Sequence, residues 1–153
     1  MKTEIRKYIP SDCGELYRLF YDTVHFVAAK DYSADQLDAW APENADLKKW
    51  NRSFKEKLTL VALADGKTAG FGNIDKTGYL DMLYVHKDYQ NMGIASALCN
   101  RLEAKSAAVK ITVHASVTAK PFFEKRGYTV IKEQHVMRRG VLLTNYIMEK
   151  KKP

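Results

Sequence analysis

The stretch YVHKDYQNMGIASAL, residues 84–98, begins as an apolar strand, turns polar, places one glycine and resumes as a helix. Strand, short loop and helix entrance in that order make an anion cradle, because the first amides of a helix lack internal partners and the helix dipole there favours negative charge. Gln90, Asn91 and Met92 precede Gly93, whose missing side chain lets a phosphate approach the backbone. An isolated glycine is equally the ordinary strand-to-helix connection of an α/β domain, so the surroundings must decide. A second chemistry-bearing group is Asp81, the only carboxylate inside the apolar strand YLDMLYV. Apolar surroundings disfavour an ionised carboxylate and suit it to accept a proton. His25, His86, His114 and His135 include no helical i, i+4 pair, and Cys13 and Cys99 lie far apart, so no metal site is expected. The cysteines read as small buried hydrophobes.

These residues need a scaffold, and 153 residues with 46% hydrophobic content suit one domain, residues 1–153, with a real core. No repeat or low-complexity linker divides the chain. The opening MKTEIRKYIPSDCGELYRLF lacks a signal-peptide core and no apolar run is long enough for a bilayer, so a cytoplasmic protein without a membrane partner is expected. The formal charge of +7 invites a nucleic-acid reading. The basic residues are scattered, however, apart from Lys150, Lys151 and Lys152, and no aromatic-basic interleaving marks a binding strand. The positive field suits a small polyanionic ligand better.

Along the chain, TEIRKYI alternates as an edge strand, and Ser11-Asp12 introduce a helix carrying Leu16, Leu19, Phe20 and Val24. Ser33 and Gln36 suit a capping box for the short helix SADQLDAW, which Pro42 ends, and a third helical piece covers residues 45–55. LTLVALA and TAGFGNI flank Asp65-Gly66, and with YLDMLYV they make an antiparallel meander. Next come the helix IASALCNRLEAKSAA and the strand KITVHAS, an order that makes YLDMLYV and ITVHA parallel. The helix TAKPFFEKR stops at Gly127, and YTVIKEQHVM pairs with VLLTNYIME across Arg139-Gly140. The fold class is therefore α/β, with helices flanking a mixed, mostly antiparallel sheet around a central parallel pair. A ligand belongs at the carboxyl end of that pair, where residues 86–96 lie.

Two motifs, with this order of elements, carry a family resemblance. The loop Gln90-Asn91-Met92-Gly93-Ile94-Ala95 has the form Q/R-x-x-G-x-G/A, and Ser116 followed by AKPFFEKRGY (119–128) has the form of a small polar residue, then A-x-x-F/Y-F/Y-E-x-x-G-F/Y. The chain resembles the GCN5-related N-acetyltransferases over nearly its whole length, within a bacterial subgroup of uncharacterised members. The resemblance implies acetyl-CoA as cosubstrate. Its pyrophosphate would meet the amides from Gln90 through Asn91, Met92, Gly93, Ile94 and Ala95 to Ser96, and its pantetheine would lie beside Leu83, Tyr84 and Val85 like an added strand. There is no G-x-G-x-x-G, which disfavours a nicotinamide cofactor.

Acetyl transfer to an amine needs a neutral amine, an aligned thioester and a proton for the leaving thiolate. Asp81 stands where members of the family often carry a Glu, which implies the base. Phe123 stands where the family often has the acid tyrosine, so Phe123 is expected to pack along the pantetheine arm while Tyr128, Tyr84 or water supplies the proton, or the thiolate leaves unassisted. Ser116 is expected to bridge to the cosubstrate, and His114 to relay the acceptor's proton. His25, on the first helix, is expected to face the acceptor cleft, and the aromatic cluster Tyr21, Phe26, Tyr32, Trp40 and Trp50 falls where the family places its acceptor wall, with Tyr32 and Trp40 the acceptor candidates. Dimers are common in the family, and VLLTNYIME is apolar enough to pair with a second copy. The reading is an N-acetyltransferase acting on a primary amine of a small molecule or a protein. Its alternatives are a non-catalytic acyl-CoA sensor and, less favoured, a basic nucleic-acid-binding module.

Overall fold

Turn chemistry divides the alternating segments into seven strands. In the computed structural model, which describes residues 1–152, these are β1 (Thr3–Lys7), β2 (Leu58–Ala64), β3 (Lys67–Ile74), β4 (Tyr79–Val85), β5 (Lys110–Ser116), β6 (Thr129–Arg138) and β7 (Val141–Lys151). They form one sheet in the order β1-β2-β3-β4-β5-β7-β6. Two of its hairpins turn on consecutive left-handed residues, Asp65 with Gly66 and Arg139 with Gly140. That geometry matches the twist of the flanking strands.

Every pairing is antiparallel except β4 with β5, which is parallel and limited to Tyr79 opposite Thr112 and Leu80 opposite Val113. Gly78 holds the closed end of this pair. A Cβ there would stand 2.5 Å from the Lys110 carbonyl oxygen, and φ is +90°, so only glycine allows the approach. Beyond Leu80 the two strands part. The edge of β4 that faces β5 then has no strand partner from Asp81 to Val85.

Five helices cover the two faces: α1 (Cys13–Val27), α2 (Ala34–Trp40), α3 (Leu47–Glu56), α4 (Ile94–Lys105) and α5 (Lys120–Lys125). Ser33 and Gln36 do form the capping box of α2: the Gln36 amide donates to Ser33 Oγ at 3.2 Å and the Ser33 amide to Gln36 Oε1 at 2.9 Å. Ile94, Leu98, Cys99 and Leu102 of α4 and Phe123 of α5 pack with Leu80, Ile111, Val113 and Met148 of the sheet. On the other face, Leu16, Phe20 and Val24 of α1, Leu37 of α2 and Phe54 of α3 pack with Val61, Phe71 and Leu143.

The structure alters one expectation about the C-terminal strand. β7 is paired to β5 on one side and β6 on the other, so its backbone edges are filled and it cannot add a second copy edge to edge. No described helix is long and apolar enough to cross a membrane.

Candidate active site

The parting of β4 and β5 opens two clefts on opposite sides of the same gap. The first, about 630 Å³, runs from Leu83, Tyr84 and Val85 of β4 over the loop at Gln90 and Asn91 to Gly93, Ile94, Ala95 and Ser96, with Ser116 and Phe123 on its far wall. The loop is held by its own side chains. Gln90 Nε2 donates to the Val85 carbonyl at 2.6 Å, and Thr23 Oγ1 of α1 donates to the same oxygen at 3.1 Å. Asn91 and Gly93 both take positive φ, which turns the chain into α4.

The first hydrogen bond inside α4 runs from the Ala97 amide to the Gly93 carbonyl, at 3.0 Å. The amides of Ile94, Ala95 and Ser96 therefore have no intrahelical partner. A Cβ built on Gly93 would meet no protein atom within 4 Å, so the backbone there faces open space rather than packed protein. Unpaired helix amides facing open space, next to an unpaired strand edge, suit a phosphate joined to an amide-bearing chain.

The second cleft, about 530 Å³, has aromatic walls that include Tyr32, Trp40, Trp50, Tyr79 and Tyr84, with Asp81, His114 and Arg138 among its polar groups. Its roof is the β6–β7 hairpin, clamped to α2 and the segment that precedes it. Arg139 Nη1 donates to the Ala39 carbonyl at 2.7 Å, Gln36 Nε2 to Leu142 at 3.0 Å and Tyr32 Oη to Thr144 at 2.6 Å. Trp40, Tyr84 and Ser116 line both clefts, so the two meet at these three side chains.

Burial pushes the Tyr84 phenol above the ordinary tyrosine range, so it carries its proton at neutral pH. Burial, with the Asp81 charge adding to it, raises Tyr79 to about 12. His114 is lowered from 6.5: burial disfavours its charged form and Arg138 reinforces this, while Asp81 opposes it. His114 Nδ1 stands 3.4 Å from Gln134 Nε2.

The residues singled out in the sequence separate into groups. Leu83, Tyr84, Val85, Gln90, Asn91, Gly93, Ile94, Ala95, Ser96, Ser116 and Phe123 share the first cleft, while Met92 of the same loop is exposed and lies off its lining. Asp81, His114, Tyr32 and Trp40 share the second. Asp81 is not isolated among apolar side chains as expected: Lys57 Nζ lies 2.9 Å from Oδ2. Tyr128 lines neither cleft. It is buried against Phe123 and donates to Glu103 Oε2 at 2.7 Å, which removes it as a proton donor.

His25 also lines neither cleft. It stacks on Tyr21, and its Nε2 lies 2.8 Å from the Ala41 carbonyl oxygen, which makes it a brace for α2 rather than acceptor wall. The Tyr32 hydroxyl is used by backbone on both sides, since it also accepts from the Val117 amide at 2.9 Å. Sequence reasoning passed over Thr23, Lys57, Arg138 and Asn145. For Thr23 the only sign was a polar residue on the apolar face of α1, and the others gave none, since their approach to the clefts is set by long-range packing.

Comparison with known proteins agrees with this geometry. The family model described as Acetyltransferase (GNAT) domain matches residues 28–150. The chain is 38% identical over 149 residues to an uncharacterized N-acetyltransferase of Escherichia coli, YafP, covering 97% of this chain and 95% of that protein. A crystal structure of a GCN5-related N-acetyltransferase from Rhodopseudomonas palustris superposes with a TM-score of 0.95 at 33% identity, over 99% of this chain and 96% of that one. The PaiA N-acetyltransferase of Thermoplasma acidophilum, solved in complex with coenzyme A, shares the fold with a TM-score of 0.81 at 23% identity, over 99% of this chain and all (100%) of that one. The chain belongs to the GNAT family of acetyltransferases.

Proposed function

We propose that the protein transfers the acetyl group of acetyl-CoA to a primary amine, with the cosubstrate in the first cleft and the amine in the second. The observation that carries this reading is that Trp40, Tyr84 and Ser116 line both clefts, so that ligands in the two would be separated by no more than these side chains. Transfer needs both reactants in contact with water largely excluded, and a gap between two strands lined by large side chains supplies that. That the PaiA protein, of the same fold, was solved in complex with coenzyme A supports a coenzyme A cosubstrate here.

Each side chain then has a task. The amides of Ile94, Ala95 and Ser96 hold the pyrophosphate, and the unpaired edge of β4 aligns the pantetheine amides. Acetyl-CoA supplies an acyl group already activated as a thioester. Asp81, with Lys57 fixing its carboxylate, takes the proton from the amine directly or through water, and His114 stands in the same cleft to pass it on. Tyr84, protonated at the junction, donates a hydrogen bond to the sulfur as its charge develops. Phe123 cannot do so, and it packs as an apolar wall of the first cleft.

A CoA sensor without turnover would have no use for the second cleft. Release of free thiol from acetyl-CoA, measured with and without each member of an amine panel, tests the proposal. Amine-dependent release supports it, and tight acetyl-CoA binding with no release on any amine would support the sensor.

A further inference from the structure

The charges of the second cleft say something about what enters it. Its carboxylates are already engaged: Asp81 is paired with Lys57 at 2.9 Å, and Asp46 Oδ1 accepts from the Lys49 amide at 3.1 Å as the cap of α3. Of its cations, Arg139 is engaged by the Ala39 carbonyl, and the other two are not engaged. Arg138 and Lys49 both line the cleft, and neither has a carboxylate partner among the described residues. Arg138 is exposed at the end of β6, where it lines the cleft.

At the junction end the polarity is opposite. Asn145 lies across the ladder from Ser116, lines the cleft, and has a buried Oδ1 with no hydrogen-bond partner. A buried carbonyl left unpaired is unfavourable, and an N–H donor on a bound molecule relieves it. Trp40, Tyr79 and Tyr84 line the same cleft as flat aromatic walls.

On the reading that this cleft takes the acetyl acceptor, we infer that the acceptor is a small aromatic amine that also carries a carboxylate. Its amine N–H meets Asn145 Oδ1 at the junction, its ring lies between the aromatic walls, and its carboxylate meets the guanidinium of Arg138, with Lys49 adding to the field. An arginine fork fits a carboxylate with two parallel hydrogen bonds, which a lone ammonium does not. The same surplus of unpaired cations argues against a polyamine or a lysine flanked by basic residues, either of which would meet like charge.

The test uses pairs that differ only in a carboxylate at the far end of the ring from the amine: 4-(aminomethyl)benzoate with benzylamine, and 4-(2-aminoethyl)benzoate with phenethylamine. Initial rates with acetyl-CoA and calorimetric binding to the CoA-loaded protein are measured for each. In at least one pair the acid is expected to be favoured by about 10- to 100-fold, the range of one charge-assisted hydrogen bond, with the difference in KM. Arg138→Gln should collapse the ratio between acid and decarboxylated partner, each measured in the same variant, while Arg138→Lys should retain part of it.

Equal affinity and rate within every pair, or a preference that survives Arg138→Gln in a protein with native melting behaviour, overturns the inference. If an acid binds selectively through Arg138 but no pair is acetylated, the anion subsite stands and the acetyl-transfer reading fails. Transfer to the decarboxylated amines alone overturns the anion subsite and leaves acetyl transfer standing.

Discussion

Lys57 Nζ lies 2.9 Å from Asp81 Oδ2 and 2.8 Å from Ser53 Oγ, so the residue that closes α3 fixes the one carboxylate on the inner run of β4. A base held this way is oriented before any amine arrives. Asp81→Asn keeps size and polarity and removes basicity. Turnover should fall by roughly 10²- to 10⁴-fold with acetyl-CoA affinity little changed. Part of the rate should return at high pH, where the amine loses its proton unaided. Near-native turnover of the Asn variant at neutral pH would take Asp81 out of the mechanism and leave His114 or water as base.

Gly93 tests the other cleft. Nothing in the protein lies within 4 Å of a Cβ built there, so Gly93→Val should fold, at the cost of about 1–2 kcal/mol for a left-handed φ of +81°. The new side chain occupies the space in front of the α4 amides. Calorimetry should therefore show acetyl-CoA binding weakened by well over about tenfold. A folded variant with native affinity would mean that the phosphates sit elsewhere.

How much of this was legible in the sequence varies by element, for physical reasons. The capping box at Ser33 and Gln36, the turns at Asp65-Gly66 and Arg139-Gly140 and the apolar stripe of α4 are local patterns, and each formed where its residues demand. In the first cleft one wall is the continuous segment from Leu83 to Ser96, which a contiguous motif reports, while Thr23, Val24, Val27, Ala28 and Trp40 come from distant parts of the chain. The second is assembled from α1, α2, α3, β4, β5 and the β6–β7 hairpin. No local pattern brings Arg138 and Asn145 over Asp81.

Errors arose the same way. Tyr128 belongs to the second motif, but Glu103 of α4 captures its hydroxyl, and His25 faces the end of α2. The expected isolation of Asp81 among apolar side chains fails because Lys57, 24 residues upstream, pairs with its carboxylate.

Tyr32 joins three segments through one hydroxyl, donating to the Thr144 carbonyl and accepting from the Val117 amide. Tyr32→Phe leaves both backbone groups without that partner. Chemical denaturation should show a loss of about 1–3 kcal/mol. Because the roof of the second cleft hangs on this contact, KM for the amine should rise more than the dissociation constant for acetyl-CoA.

Glu103 binds Arg126 at 2.9 Å and Tyr128 at 2.7 Å, with Lys150 at 3.5 Å. Burial alone would raise its carboxyl, but the hydrogen bonds from Arg126 and Tyr128 and the charges of Arg126 and Lys150 carry it below the ordinary 4.5. A lowered folded-state value means the stabilisation is fully present above about pH 4.5 and fades as pH falls through the folded value. Glu103→Gln should lose about 1–3 kcal/mol at neutral pH, and the gap to the native protein should close in acid. A gap independent of pH would assign the loss to packing.

The central claim is that acetyl-CoA in one cleft meets an amine in the other at Trp40, Tyr84 and Ser116. Its most direct test follows thiol release and product mass together over the amine panel, for the native protein and for Ser116→Trp, which fills the junction. The native protein should release thiol only with a competent amine and yield a product heavier by one acetyl group. The Trp variant should lose most of this rate while each cleft still binds its own ligand. Thiol release without an acetylated product, or full turnover through a filled junction, would contradict the account.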